Sequence, residues 1–150
     1  MNLGNGMKLM TSTQHLTLHF ANKAEEAPRI ARRIEYFLHD KKVNDSTINK
    51  ILLCVDELIT NIIAHAYNDK EEHAVLLDCK VIEGRIELEL RDDGVQFDPT
   101  TQTRPDVKLS LENRDIGGLG IHLVMTLMDK VEYEREGDFN VLKASISTNS

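Results

Sequence analysis

Apolar residues recur along this chain with two different periods. In QHLTLHF, Leu16, Leu18 and Phe20 alternate with polar residues, the period of a half-buried strand. A helix is expected from about Ala24 to His39, with Pro28 tolerated in its first turn. KKVNDS interrupts the pattern, and Asp45 or Ser46 can cap the helix that follows. In that helix Leu52, Val55, Leu58, Ile59, Ile62, Ile63 and Ala66 fall on one broad arc. HAVLLDCKV and RIELELR flank a Glu-Gly turn and read as a hairpin, with Ile86, Leu88 and Leu90 alternating with charged residues. From Asp92 to Gly118 neither period holds, and so long a stretch in a compact domain is usually functional or mobile. GLGIHLVMTLMDK resumes a helix, and KVEYERE and FNVLKASIS form a closing hairpin across Gly137 and Asp138.

This order of elements predicts an α+β fold: helices layered on one face of a mostly antiparallel sheet, rather than a doubly wound nucleotide fold. The chain has 150 residues, enough for one domain that buries about two-thirds of its unfolded surface without a disulfide or metal staple. A flexible N-terminus over 1–13 and a folded domain over 14–148 are expected. A formal charge of -7 gives no basic footprint for a phosphate backbone, so no direct nucleic-acid partner is expected. Cys54 and Cys79 lack CxxC spacing and a nearby His pair, which favours packing roles in a reducing compartment. MNLGNGMKLM lacks a charged leader with a sustained apolar core, and no apolar run approaches the ~18 residues of a membrane span. A cytoplasmic protein without membrane contact is the expectation.

Three segments depart from this regular pattern. In DELITNIIAHAY, Glu57, Asn61 and His65 lie four residues apart and form a slowly drifting polar stripe on the helix. A solvated face explains Glu57 or His65 equally well, but Asn gains nothing in mid-helix unless its amide has a partner. LRDDGVQFDP ends a strand in two acids and a glycine. That is turn chemistry, or else a carboxylate placed to accept from a ligand amine, with Gly94 admitting the ligand to the backbone. DIGGLGIHLV sets three glycines before an apolar helix. Loop flexibility accounts for such a cluster; so does an anion site at a helix N-terminus, although neither a P-loop nor a complete GxGxxG is present.

Taken in order, ELITNIIAHAY, DDGVQFDP and GGLGIHLV resemble the N, G1 and G2 boxes of the GHKL ATPase superfamily, and most closely those of small anti-sigma regulatory serine/threonine kinases. The resemblance runs from the first strand to NVLKASI. It implies a Bergerat-type two-layer sandwich with an ATP lid over residues 95–116. It further implies ATP and Mg²⁺ as ligands, with Asn61 on the metal, Glu57 as general base, Asp92 accepting from the adenine amine and Gly94 beside the base. Gly117, Gly118, Leu119 and Gly120 would surround the phosphates, and His65 would line the phosphate pocket. Arg104, Lys108 or Arg114 could reach the terminal phosphate from the lid. Gln96 and Ile116 replace glycines of the usual boxes, and Lys143 falls about where related domains place a threonine near adenine, so no contact is assigned to it.

The resemblance implies a protein that phosphorylates a small anti-sigma-factor antagonist in trans and, in another state, holds a sigma factor or other regulator. The first strand and first helix would form a partner or homodimer surface. A histidine-kinase catalytic domain would carry the same boxes but needs a dimerisation helix pair with a phospho-acceptor His before Gln14. The alternative from another class is a non-catalytic, ATP-responsive binding protein in a partner-switching pathway.

Overall fold

The computed structural model describes residues 14–101 and 118–148. The expected tail at 1–13, most of the expected lid, and Arg104, Lys108, Arg114, Ile116 and Gly117 lie outside the described residues. The elements in chain order are β1 (His15–Ala21), α1 (Glu26–Asp40), α2 (Asp45–His65), β2 (Ala74–Ile82), β3 (Arg85–Asp92), a 3-10 turn (Pro99–Thr101), α3 (Gly118–Leu127), β4 (Lys130–Glu136) and β5 (Phe139–Ser147). The strands form one sheet in the order β1-β2-β3-β5-β4. Every neighbouring pair is antiparallel, so the expected mostly antiparallel α+β sandwich is the fold observed.

The period-2 pattern becomes two chemically distinct faces because the strand registers keep like with like. Leu18, Leu77, Leu90, Leu142 and Tyr133 form a single row across all five strands. The adjacent positions, Thr17, Asp78, Glu89, Lys143 and Glu132, form the matching row on the opposite face. The apolar face buries Val75, Leu77, Cys79, Ile86, Leu88 and Ile146 against the helices. From the helices come Ile30, Ile34 and Leu38 of α1, Ile48, Ile51, Cys54, Val55, Leu58 and Ile59 of α2, and Ile121 and Val124 of α3. Each such side chain contributes about 1.5–3 kcal/mol when fully buried. Cys54 and Cys79 are free and buried, and burial pushes their thiols up to about 11 and about 12, as expected of packing residues. No helix of the described residues is long and apolar enough to cross a membrane.

The cap of helix α2 lies one residue before Asp45 and two before Ser46, the caps expected. The N-cap is Asn44, whose extended backbone and side-chain oxygen accepting from the Thr47 N–H at 2.8 Å satisfy one of the helix's free donors. Asp45 and Ser46 lie inside the first turn instead. Asn44 also donates through Nδ2 to the Thr148 carbonyl at 3.1 Å, which fastens the helix start to the chain end beyond β5. The other boundaries shift little: α1 begins at Glu26 and keeps Pro28 in its first turn, and α3 ends at Leu127. Replacing Asn44 by Ala should cost about 1 kcal/mol, whereas Ser46→Ala should change stability by less than about 0.5 kcal/mol. Urea unfolding of the two variants measures the difference.

Candidate functional site

Strand β3 is the middle strand, and its inward positions run Ile86, Leu88, Leu90, Asp92. Alternation therefore delivers a carboxylate to a position where the preceding three are apolar, and Asp92 is 6% exposed. Above it lies α2, whose inward face ends in Leu58, Asn61 and Ile62. Between helix and sheet is a cleft with Asn61, Asp92, Tyr133 and Asn140 as its polar lining. Leu58, Ile62, Ala66, Leu90 and Leu142 form apolar walls, and Phe97 and Pro99 complete the lining. Amide and acid, thirty-one positions apart in sequence, thus face a shared cavity.

The two adjacent acids point in different directions. Asp92 Oδ1 accepts from the Gly94 N–H at 2.9 Å and from Asn140 Nδ2 at 2.9 Å. Its Oδ2 has no hydrogen-bond partner among the described residues, and as a carboxylate oxygen it can only accept. Asp93 accepts instead from the Tyr67 hydroxyl at 2.9 Å, and Tyr67 stacks on His73 with ring centroids 4.0 Å apart. Burial, and then the bond to Asp93, push the Tyr67 hydroxyl well above its ordinary range. Asp69, 2.8 Å from His73 Nε2, raises the imidazole above its usual value.

The stripe on α2 changes character along its length. Glu57 is half-buried, Asn61 is 8% exposed, and His65 is exposed. The Asn61 amide has no hydrogen-bond partner among the described residues, so it is available to whatever enters the cleft. Glu57 meets the first turn of α3: a Cβ on Gly120 would overlap Glu57 Oε2. Burial, and then the neighbouring charge of Asp56, raise the Glu57 carboxyl above its ordinary value. His65 does not line the cleft; its ring stacks on that of Phe97, at 4.8 Å and 25°.

Gly94 proves to be a packing requirement of the protein itself. A Cβ there would run into the carbonyl oxygen, carbonyl carbon and Cβ of Ala66, just past the end of α2. That close approach lets the Val95 N–H donate to the Ala66 carbonyl at 2.7 Å. Gly118, Leu119 and Gly120 open α3 as the sequence suggested, with Gly117 outside the described residues. Lys143 lies on the far face of the sheet, pairing across strands with Glu89 and Glu132, away from the cleft.

Sequence reading missed Asn140 and its neighbours. Asn140 is 6% exposed and sits opposite Asp92 in the β3–β5 ladder. Its amide donates to Asp92 and, at 2.8 Å, to the Val95 carbonyl. Its oxygen accepts from the Tyr133 hydroxyl, from the Phe97 N–H at 3.2 Å and from Arg135 Nη1 at 3.1 Å. The same Arg135 nitrogen donates to the Gly94 carbonyl at 2.9 Å. The available signal was the strand period, which places residue 140 in the inward series with Leu142 and Ala144.

A buried acceptor at a strand end, an amide without a described partner on the facing helix and a glycine-opened helix beside a carboxylate are carried by one two-layer α+β domain, a class with the features of a candidate nucleotide site. The comparisons agree with that class: the histidine kinase-like ATPase domain matches residues 20–146, and the chain belongs to that family. ATP is the nucleotide such a domain implies. The serine/threonine-protein kinase BtrW of Bordetella bronchiseptica is 30% identical over 92 residues, 61% of this chain and 65% of that protein. The serine-protein kinase RsbW of Listeria monocytogenes is 35% identical over 95 residues, 60% of each chain. The matches thus span less than two-thirds of these kinases' own length. The anti-sigma F factor of Oceanobacillus iheyensis is 26% identical over 117 residues, 78% of this chain and 80% of that one.

Solved structures share the fold. The RsbU and RsbW domains of Rv1364c from Mycobacterium tuberculosis match with a TM-score of 0.61 and 12% identity, over 87% of this chain and 32% of that one. A chain of the SiaB-SiaC complex from Pseudomonas aeruginosa matches with a TM-score of 0.59 and 17% identity, over 97% and 99%.

Gly94→Ala tests the close approach directly. The added methyl meets backbone, which cannot swing aside, so the variant should lose about 1–3 kcal/mol of stability. Thermal unfolding should show the loss, together with faster amide exchange at Val95 as its bond to Ala66 opens.

Proposed function

We propose that this chain is an Mg-ATP-dependent protein serine/threonine kinase of the anti-sigma type. It phosphorylates a small antagonist protein in trans and, in its other state, holds a sigma factor or similar regulator. The observation that carries this reading is the convergence of Asn61 and Asp92 on one cleft, with Glu57 against the first turn of α3. The names of the relatives, protein kinases and an anti-sigma factor, support it. Such a protein works in the cytoplasm, with β1 and α1 as the surface for dimerisation or partner binding.

The residues present fit ATP and magnesium. Asp92 Oδ2 is an acceptor without a protein donor among the described residues, suited to an exocyclic amine. Asn61 offers one hard oxygen on the wall of the cleft. Mg²⁺ is commonly held by one or two protein oxygens together with substrate phosphates and water. Among the described residues no cluster of three or more His, Cys, Asp or Glu could hold a metal ion, and in this reading the phosphates and water would supply the remaining ligands. When bound, Mg²⁺ neutralises charge on the phosphates. In this reading the phosphates would lie at the α3 N-terminus, where a helix's first N–H groups and the positive end of its dipole favour an anion.

Phosphoryl transfer asks the protein mainly to align an acceptor and stabilise charge. In this reading Glu57 takes the proton from the incoming hydroxyl. Its raised pKa brings it closer to working pH, which makes it a stronger base than an exposed glutamate. Folding raises this pKa, so the proton is held more tightly in the native state. The carboxyl's contribution to stability therefore falls as pH rises from the ordinary glutamate range through the raised value.

Incubation with labelled ATP, Mg²⁺ and candidate antagonist proteins from the same genome should label a serine or threonine in one of them. Measurable ATP binding with no label in any candidate would point to the non-catalytic, ATP-responsive binding module. Glu57→Gln should keep ATP affinity while lowering transfer by roughly 10²–10⁴-fold. Transfer by the wild type should fall at acid pH along a limb that lies above the ordinary glutamate value and vanishes in Glu57→Gln; a limb surviving the substitution would assign the base elsewhere.

A further inference from the structure

The Asn140 amide is fixed in one orientation by its surroundings. Its NH₂ end faces two acceptors, Asp92 Oδ1 and the Val95 carbonyl. Its oxygen faces three donors: the Tyr133 hydroxyl, the Phe97 N–H and Arg135 Nη1. Turning the amide over would set donors against donors and acceptors against acceptors, so the assignment follows from the network. Two consequences meet at the cleft. Asp92 Oδ1 is occupied by two donors, Asn140 Nδ2 and the Gly94 N–H, which leaves Oδ2 as the oxygen a ligand can use. The same amide grips the backbone at Val95 and Phe97, and so sets the position of the Phe97 ring that lines the cleft.

We propose that Asn140, held by Tyr133 and Arg135, is the positioning residue for base selection: it turns Asp92 so that Oδ2 accepts from a purine 6-amino group and repels a 6-oxo group. This rests on the reading of the cleft as an adenine nucleotide site. Asn140 acts through Asp92, and its effect is on which base binds rather than on how fast phosphate moves. A carboxylate free to rotate would share its two oxygens between protein and ligand. Locked, it presents one acceptor and discriminates against bases that bring no donor.

The test compares affinities of the intact chain for ATP, GTP and purine riboside triphosphate, which lacks the 6-amino group, by calorimetry with Mg²⁺. The wild type should bind ATP roughly 10- to 100-fold more tightly than the purine analogue, the usual worth of a hydrogen bond to a charged group. Asn140→Asp puts an acceptor against Asp92 Oδ1 and the Val95 carbonyl while keeping an oxygen for Tyr133 and Arg135. In it the preference should shrink to within about threefold, chiefly by weaker ATP binding. Ile146→Val, a buried change on the same strand, should lower Tm and leave the preference intact, which separates base selection from loss of stability.

Should Asn140→Asp fail to fold, Tyr133→Phe decides, since it removes one donor to the Asn140 oxygen and little volume. A preference reduced by about threefold or more supports the proposal. A wild-type preference retained in every folded Asn140 or Tyr133 variant overturns it, even if overall affinity drops. A wild type that binds ATP and the purine analogue equally well, or binds neither, overturns the adenine reading of the cleft itself.

Discussion

Much of this site depends on one backbone contact, the Val95 N–H donating to the Ala66 carbonyl at 2.7 Å. It ties the C-terminal end of α2 to the chain just beyond β3. Gly94 is the residue that permits it, because any Cβ there would occupy the space of Ala66. Asn61 lies little more than one turn before the clasp on the helix side, and Asp92 three residues before it on the strand side. The separation of amide and acid is therefore set by main-chain geometry rather than by flexible side chains. Sites supported in this way keep their spacing when ligands come and go.

The buried polar groups around the clasp divide into two kinds. Asn140 uses both amide hydrogens and draws three donors to its oxygen, so it rigidifies what it touches. Asn61 is nearly as buried, yet its side-chain amide makes no hydrogen bond to another described residue. An amide left unsatisfied in an apolar wall costs about 1–3 kcal/mol, and the cleft offers its polar group water or a ligand instead. The first kind holds the site in shape. The second leaves it with binding capacity to be used. Glu57 stands between them, partly desolvated and without an ion pair among the described residues, so its carboxyl is raised rather than neutralised by a partner.

The sequence disclosed the sheet and helices because each rests on local periodicity. Leu16, Leu18 and Phe20 alternate because one face of β1 is covered, and Leu58, Ile59 and Ile62 cluster because one side of α2 is. Asn61 and Asp92 were legible as exceptions to those same periods. Asn44 was overlooked as the cap because Asp45 and Ser46 are equally good cap residues; the Thr47 N–H donating to the Asn44 side chain selects among them. Asn140 was missed for a deeper reason. Within the strand FNVLKASIS it is one polar residue near a hairpin end, and its importance arises only when β5 pairs with β3 and sets it opposite Asp92. Gly94 was legible as special, but not as a contact point for Ala66, a residue twenty-eight positions earlier.

The central claim is that amide, acid and glycine-opened helix enclose one magnesium nucleotide. The most direct measurement is a crystal structure of the chain with Mg²⁺ and a non-hydrolysable ATP analogue. The account predicts the adenine amine within hydrogen-bonding distance of Asp92 Oδ2, the metal on Asn61 and the phosphates before the first turn of α3. A nucleotide bound elsewhere, with this cleft holding only water, would contradict it.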